Sequence, residues 1–101
     1  MDSDANQSDR PDLDTLRARL DEIDRRLVTV LADRGRVIED VIHYKRAHQM
    51  RVVDRAREDR MLDHIAVVAE SEGLDPRVAQ HVLRAIIDAF TLVEAEELEP
   101  E

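Results

Sequence analysis

No proline falls between Asp12 and Ala47, and over that stretch apolar residues recur at Leu13, Leu16, Leu20, Ile23, Leu27, Val30, Val37, Val41 and Tyr44. Steps of three and four are the seam of a helix that packs against other helices along its whole length. The one interior glycine, Gly35, costs about 1 kcal/mol relative to alanine and does not end the helix. A helix of about 35 residues at about 1.5 Å each is on the order of 50 Å long. A compact domain of 101 residues has a radius of gyration of only about 13 Å. One end must therefore project beyond its own chain, and its apolar seam needs covering there. The expectation is a dimer with the long helices side by side.

Two shorter helices follow. Gln49 to Val53 read as a loop ending at Asp54, a good N-cap, after which Met61, Leu62, Ile65 and Val68 or Ala69 mark the apolar face of a helix of about 17 residues. Gly73 suits its C-terminal end, and Asp75-Pro76 places a cap and then a proline at the first helical position. The third helix carries Val78, Val82, Leu83, Ile86, Ile87 and Phe90, and is expected to fray in the acidic tail from Glu94 to Glu101. No strand pattern and no internal repeat is visible. The fold class is all-α, with three helices per chain that symmetry doubles into a six-helix bundle. A disordered leader is expected over residues 1–11, the helical domain over 12–97 and an acidic tail over 98–101.

Composition narrows the function. The chain is 43% hydrophobic and 39% charged with Tyr44 and Phe90 as its only aromatics, so its core must be aliphatic. It has no cysteine, which rules out disulfides and cysteine-ligated metals. The leader is polar and acidic, unlike a secretory signal, and no apolar run is long enough for a membrane span, so a cytoplasmic protein is the default. The net charge of -9 argues against nucleic acid, because binding a phosphate backbone needs a positive surface. Of the 15 Lys and Arg residues, only Lys45 is lysine.

Several charges sit where a core would not want them. The seam of the first helix is broken at Arg34, whose guanidinium cannot be deprotonated and is costly to bury without an anion. Lys45 lies eleven residues on, close to three full turns, so both cations share one inward edge. Arg17, seventeen residues before Arg34, is turned about 100° away, so it cannot serve the same side of one straight helix but could reach the equivalent pocket of a partner. On bland grounds each cation snorkels to solvent or pairs with a neighbouring acid. The second helix opens with Asp54, Arg57 and Glu58. The cap and the helix dipole explain the two acids, but a cation at Arg57 opposes that dipole unless it has an anion to hold. On the third helix Glu94 falls four residues after Phe90 and seven after Ile87, on the line of the apolar stripe.

Other chemistries lack their residues. There is no phosphate-cradling glycine loop and no metal pattern, and His43, His48, His64 and His81 are too scattered to be ligands. Ser3, Ser8 and Ser71 have no base partner, so a hydrolase is not expected.

The order Leu16-Arg17, Ile23-Asp24, Leu27, Leu31, Arg34, Tyr44-Lys45, Val53-Asp54 and Arg57-Glu58 resembles the all-helical chorismate mutase family, over about residues 12–97 and without a gap from Arg17 to Glu58. The resemblance implies an intertwined homodimer and the pericyclic conversion of chorismate to prephenate, on the shikimate route to aromatic amino acids, with no cofactor. No proton need move and no covalent adduct forms, so such an enzyme holds the reactive conformer and stabilises charge building on the ether oxygen. By resemblance, Arg34 and a partner chain's Arg17 grip the two substrate carboxylates. Lys45 reaches the ether oxygen and a carboxylate, Glu58 and the Asp54 backbone receive the ring hydroxyl, and Arg57 supports them electrostatically.

Three positions depart from common bacterial members. Ile42 replaces a glycine and should matter for packing only. Phe90 replaces a small polar residue, so any contact to substrate there must come from backbone. Glu94 stands where glutamine is usual, as in fungal relatives, and must carry a proton to donate to the ether oxygen; burial favours that neutral form, and activity should fade as pH rises. Two rivals remain: the same fold acting on isochorismate or 4-amino-4-deoxychorismate, because Glu58 would also welcome an amine, and a non-catalytic helical dimerisation or regulatory module. The latter predicts that Arg34→Ala or Lys45→Ala is neutral or stabilising. An activating partner enzyme is left open, and no effector domain is visible.

Overall fold

The computed structural model describes residues 10–98. The expected leader, except Arg10 and Pro11, and the expected tail, except Leu98, lie outside the described residues. Three helices, α1 (Leu13–His48), α2 (Arg55–Ser71) and α3 (Pro76–Leu98), make up the described chain, with no strand among its residues. The expected three-helix, all-α chain is what forms.

Local hydrogen bonds set most of the helix ends. Asp12 Oδ1 accepts from the Thr15 N–H at 2.8 Å and so caps α1. Asp54 does the same for α2, its side chain accepting from the Arg57 N–H at 3.0 Å. At the other end of α2, Gly73 adopts φ 76°, while Leu74 N–H reaches Ala69 O at 2.8 Å and Gly73 N–H reaches Glu70 O at 3.2 Å. This paired closure needs a left-handed residue, which glycine supplies without a Cβ penalty. Asp75 then caps α3 by accepting from the Arg77 N–H at 2.9 Å, with Pro76 at the first helical position. The end of α1 closes in the same paired way on a non-glycine residue. Gln49 has φ 54°, and Met50 N–H bonds Lys45 O at 2.9 Å.

The chain divides into two units, Met1–Gly35 and Arg36–Glu101. In the first, the described structure is the N-terminal run of α1. Its apolar seam is open: Leu13, Leu20 and Val30 are 58%, 57% and 61% exposed, and Leu16, Ile23 and Leu27 are exposed as well. A seam left bare over about five turns is far more apolar surface than a lone helix can hold stably in water.

The second unit holds a packed core. α2 and α3 pack on each other, and the buried apolar residues are Ile42 of α1, Ala69 of α2 and Ile87 of α3. Met61, Leu62, Ile65, Val68, Leu83, Ile86 and Phe90 are half-buried around them. The inward stripe of α1 here differs in part from the expected one. Val41 is half-buried as expected, but Val37 and Tyr44 are exposed, while Ile38 is half-buried and Ile42 buried. Both stripes are apolar in this stretch and lie one residue apart, about 100° round the helix, so periodicity alone could not choose between them. Val78 and Val82 on α3 are likewise exposed rather than buried.

The expected fraying from Glu94 does not occur. α3 stays helical through Leu98, and two tertiary bonds from α1 hold its last turns: Lys45 Nζ to Glu94 Oε2, and Arg46 Nη2 to the Glu97 carbonyl. No helix among the described residues is long and apolar enough to cross a membrane.

Candidate functional site

Two buried carboxylates lie in the second unit, Glu58 at 7% and Glu94 at 6% exposure. Removing an ionised carboxylate from water is costly unless a cation or donors meet it, and each of these has its own.

Glu94 meets Lys45. The ammonium of this lysine, 14% exposed, donates to Glu94 Oε2 at 2.9 Å and to the Val52 carbonyl at 2.8 Å. Three elements therefore converge on one amine: the last turn of α1, the loop before α2 and the C-terminal half of α3. Lys45 also lines an open cleft of about 720 Å³ together with Arg46, Gln49, Met50, Val52 and Arg55. The expectation that both Lys45 and Glu94 point inward is met, and they meet each other. One expectation changes with this. Lys45 is not an unpaired buried cation, so Lys45→Ala strands the Glu94 carboxylate and should destabilise the fold whether or not the protein is an enzyme.

Glu58 sits in the first turn of α2. Its Oε1 accepts from Arg84 Nη2 at 2.8 Å and lies 3.5 Å from Arg55 Nη1. Arg84 also bonds Asp88 Oδ1, at 3.1 Å. The Glu58 hydrogen bond holds the Arg84 guanidinium even further above neutrality than is usual for arginine. Arg84 was not anticipated from the sequence. The available signal was its place three residues before Ile87, on the buried stripe of α3, where a cation needs an anion.

The remaining expected residues are placed as follows. Asp54 is exposed and serves as the α2 cap, and Arg57 is exposed, with its backbone N–H on the Asp54 carboxylate. Phe90 is half-buried on α3. Arg17 is exposed and Arg34 half-buried, both on the stretch of α1 that belongs to the first unit. No group of His, Asp and Glu among the described residues is arranged to hold a metal ion.

The second unit of this all-helical chain thus draws a lysine and two paired carboxylates in from solvent, and the lysine also lines an open cleft. The chain belongs to the chorismate mutase type II family, whose model matches residues 16–95. That span contains Arg17, Arg34, Lys45, Asp54, Arg57, Glu58, Phe90 and Glu94, and the family is one of isomerases. Comparison with curated proteins and with solved structures gave no match.

Proposed function

We propose that this protein is a chorismate mutase that rearranges chorismate to prephenate as a homodimer and without a cofactor. The observation that carries the reading is the family match over residues 16–95 in a chain whose one lysine is drawn in from solvent to 2.9 Å from a buried glutamate. An ammonium held in that way can exchange one carboxylate for another. A dicarboxylate substrate competes with Glu94 for Lys45 and gains a charge-assisted bond where water is scarce.

In this reading Arg34 and Arg17 of the partner subunit take the substrate carboxylates through their planar forks. Lys45 supports the charge that builds on the ether oxygen, the carbon-oxygen bond breaking as the carbon-carbon bond forms. Glu94, once its proton is in place, donates to the same oxygen. Glu58 and the Asp54 backbone receive the ring hydroxyl, Arg57 adds positive potential, and the peptide backbone at Phe90 supplies what contact that position makes. The bare seam from Leu13 to Val30 supports the dimer, because a second copy of the same helix is a surface of matching apolar pattern.

The test follows the ultraviolet absorbance of chorismate with purified wild type and with Lys45→Met/Glu94→Gln, a pair that leaves no charge stranded. Wild type should consume chorismate, and the double variant should stay folded by circular dichroism while losing roughly 10²–10³-fold in turnover. Unchanged turnover in that variant, or no consumption by wild type, overturns the assignment.

A further inference from the structure

Glu58 is held differently from Glu94. Its cation comes from α3, twenty-six residues along the chain, and both the Arg84 and the Arg55 contacts fall on Oε1. Oε2 takes neither. The Arg84 side chain is fixed in turn by Asp88, one helical turn on. A carboxylate gripped at one oxygen by a braced guanidinium has lost its rotational freedom and presents the other oxygen as an acceptor of set direction.

The charge of the group follows from the same bonds. An unpaired carboxylate of low exposure attracts any cation strongly. Glu58 already has one, so the pair with Arg84 carries little net charge; the more exposed Asp88 and Arg55 beside it are of opposite sign and offset each other, and the guanidinium repels a second cation brought to Oε2. A neutral hydroxyl meets no such repulsion and needs only the acceptor. Asp59 and Asp63 share an open cleft with Arg84, but both are exposed and act on it through screening solvent.

We propose that Arg84 is a positioning residue that fixes Glu58 and makes this site prefer a ring hydroxyl over a ring ammonium. The inference rests on the mutase reading above and sharpens it, separating chorismate from 4-amino-4-deoxychorismate by charge. Arg84 itself need not touch the substrate.

The experiment measures kcat and KM on chorismate and on 4-amino-4-deoxychorismate for wild type, Arg84→Gln, Glu58→Gln and the double variant. Arg84→Gln should lower the preference for the hydroxyl substrate about tenfold, with the change in KM larger than that in kcat. In the Glu58→Gln background the same substitution should move the preference by less than about twofold, because Arg84 then has no carboxylate to act through. Should the single glutamine variant fail to fold, Arg84→Lys carries the test. It keeps the charge without the fork, and the preference should fall about threefold. A parallel fall on both substrates, an unchanged preference in whichever variant folds, or additive effects in the cycle overturns the role of Arg84. If wild type converts neither substrate, the mutase reading fails and this inference with it. If wild type is active and the preference does not respond, only the role of Arg84 fails.

Discussion

The two halves of α1 carry the same kind of pattern and end in opposite environments. Between Leu13 and Val30 every seam position is exposed. Past Gly35 the helix delivers Ile42 to the core and Lys45 to a buried partner. The difference lies in what is available to pack against: in the second unit α2 and α3 pack on each other, and α3 meets the last turns of α1 through Lys45–Glu94 and Arg46 on the Glu97 carbonyl. An amphipathic stripe thus states a demand for a partner without saying which chain provides it.

The contrast breaks most sharply by substitution in each half. Ile23→Asp places a charge on the open seam, and light scattering should show a dimer converted to monomer or to unfolded chain. Ile87→Ala opens a cavity in the packed half and should cost about 3 kcal/mol in denaturant unfolding while leaving the association state unchanged. A wild-type monomer that is fully helical, or a dimer indifferent to Ile23→Asp, would mean that the seam needs no second chain.

Within the packed half, Glu94 offers the next largest effect. It is the acid on Lys45, so Glu94→Gln should alter the hold on that ammonium and lower chorismate turnover about tenfold while the chain stays folded. Unchanged turnover removes Glu94 from the chemistry and leaves it as the counter-ion of Lys45.

The smallest effect concerns the turn between α2 and α3. The Arg77 side chain, and then its backbone N–H, hold the Asp75 carboxyl below the usual aspartate range. A carboxyl lowered in the folded state adds stability that is fully present above its unfolded value, about 3.9, and that disappears as pH falls through the folded one. Asp75→Asn should therefore lower Tm slightly at neutral pH, by an amount that vanishes in strong acid. A difference in Tm that persists there would assign the effect to cap geometry rather than to charge.

How far each feature was legible follows from the range of the force behind it. Asp12, Asp54, Gly73 and Asp75-Pro76 announced their helix ends because a cap is a bond between residues two to five apart. Gln49 gave no such notice, since nothing in its side chain demands a positive φ. Lys45 and Glu94 stood out as charges on apolar lines, which is a local observation, whereas Glu58 read only as an acid in the first turn of α2, which the helix dipole already explains. That Glu94 would answer Lys45, and Arg84 would answer Glu58, could not be read because those pairs span 49 and 26 residues.

By itself, the order of residues determined three helices, their caps, an aliphatic core and a set of charges too costly to bury alone. Only the tertiary structure decided that Ile42 rather than Tyr44 faces inward, that α3 holds its helix past Glu94, and which acid pairs with which base. The physical reason is that helix formation and capping are settled within a few residues of backbone. Burial and ion pairing depend on which distant surface arrives, and the sequence names the surfaces without stating how they meet.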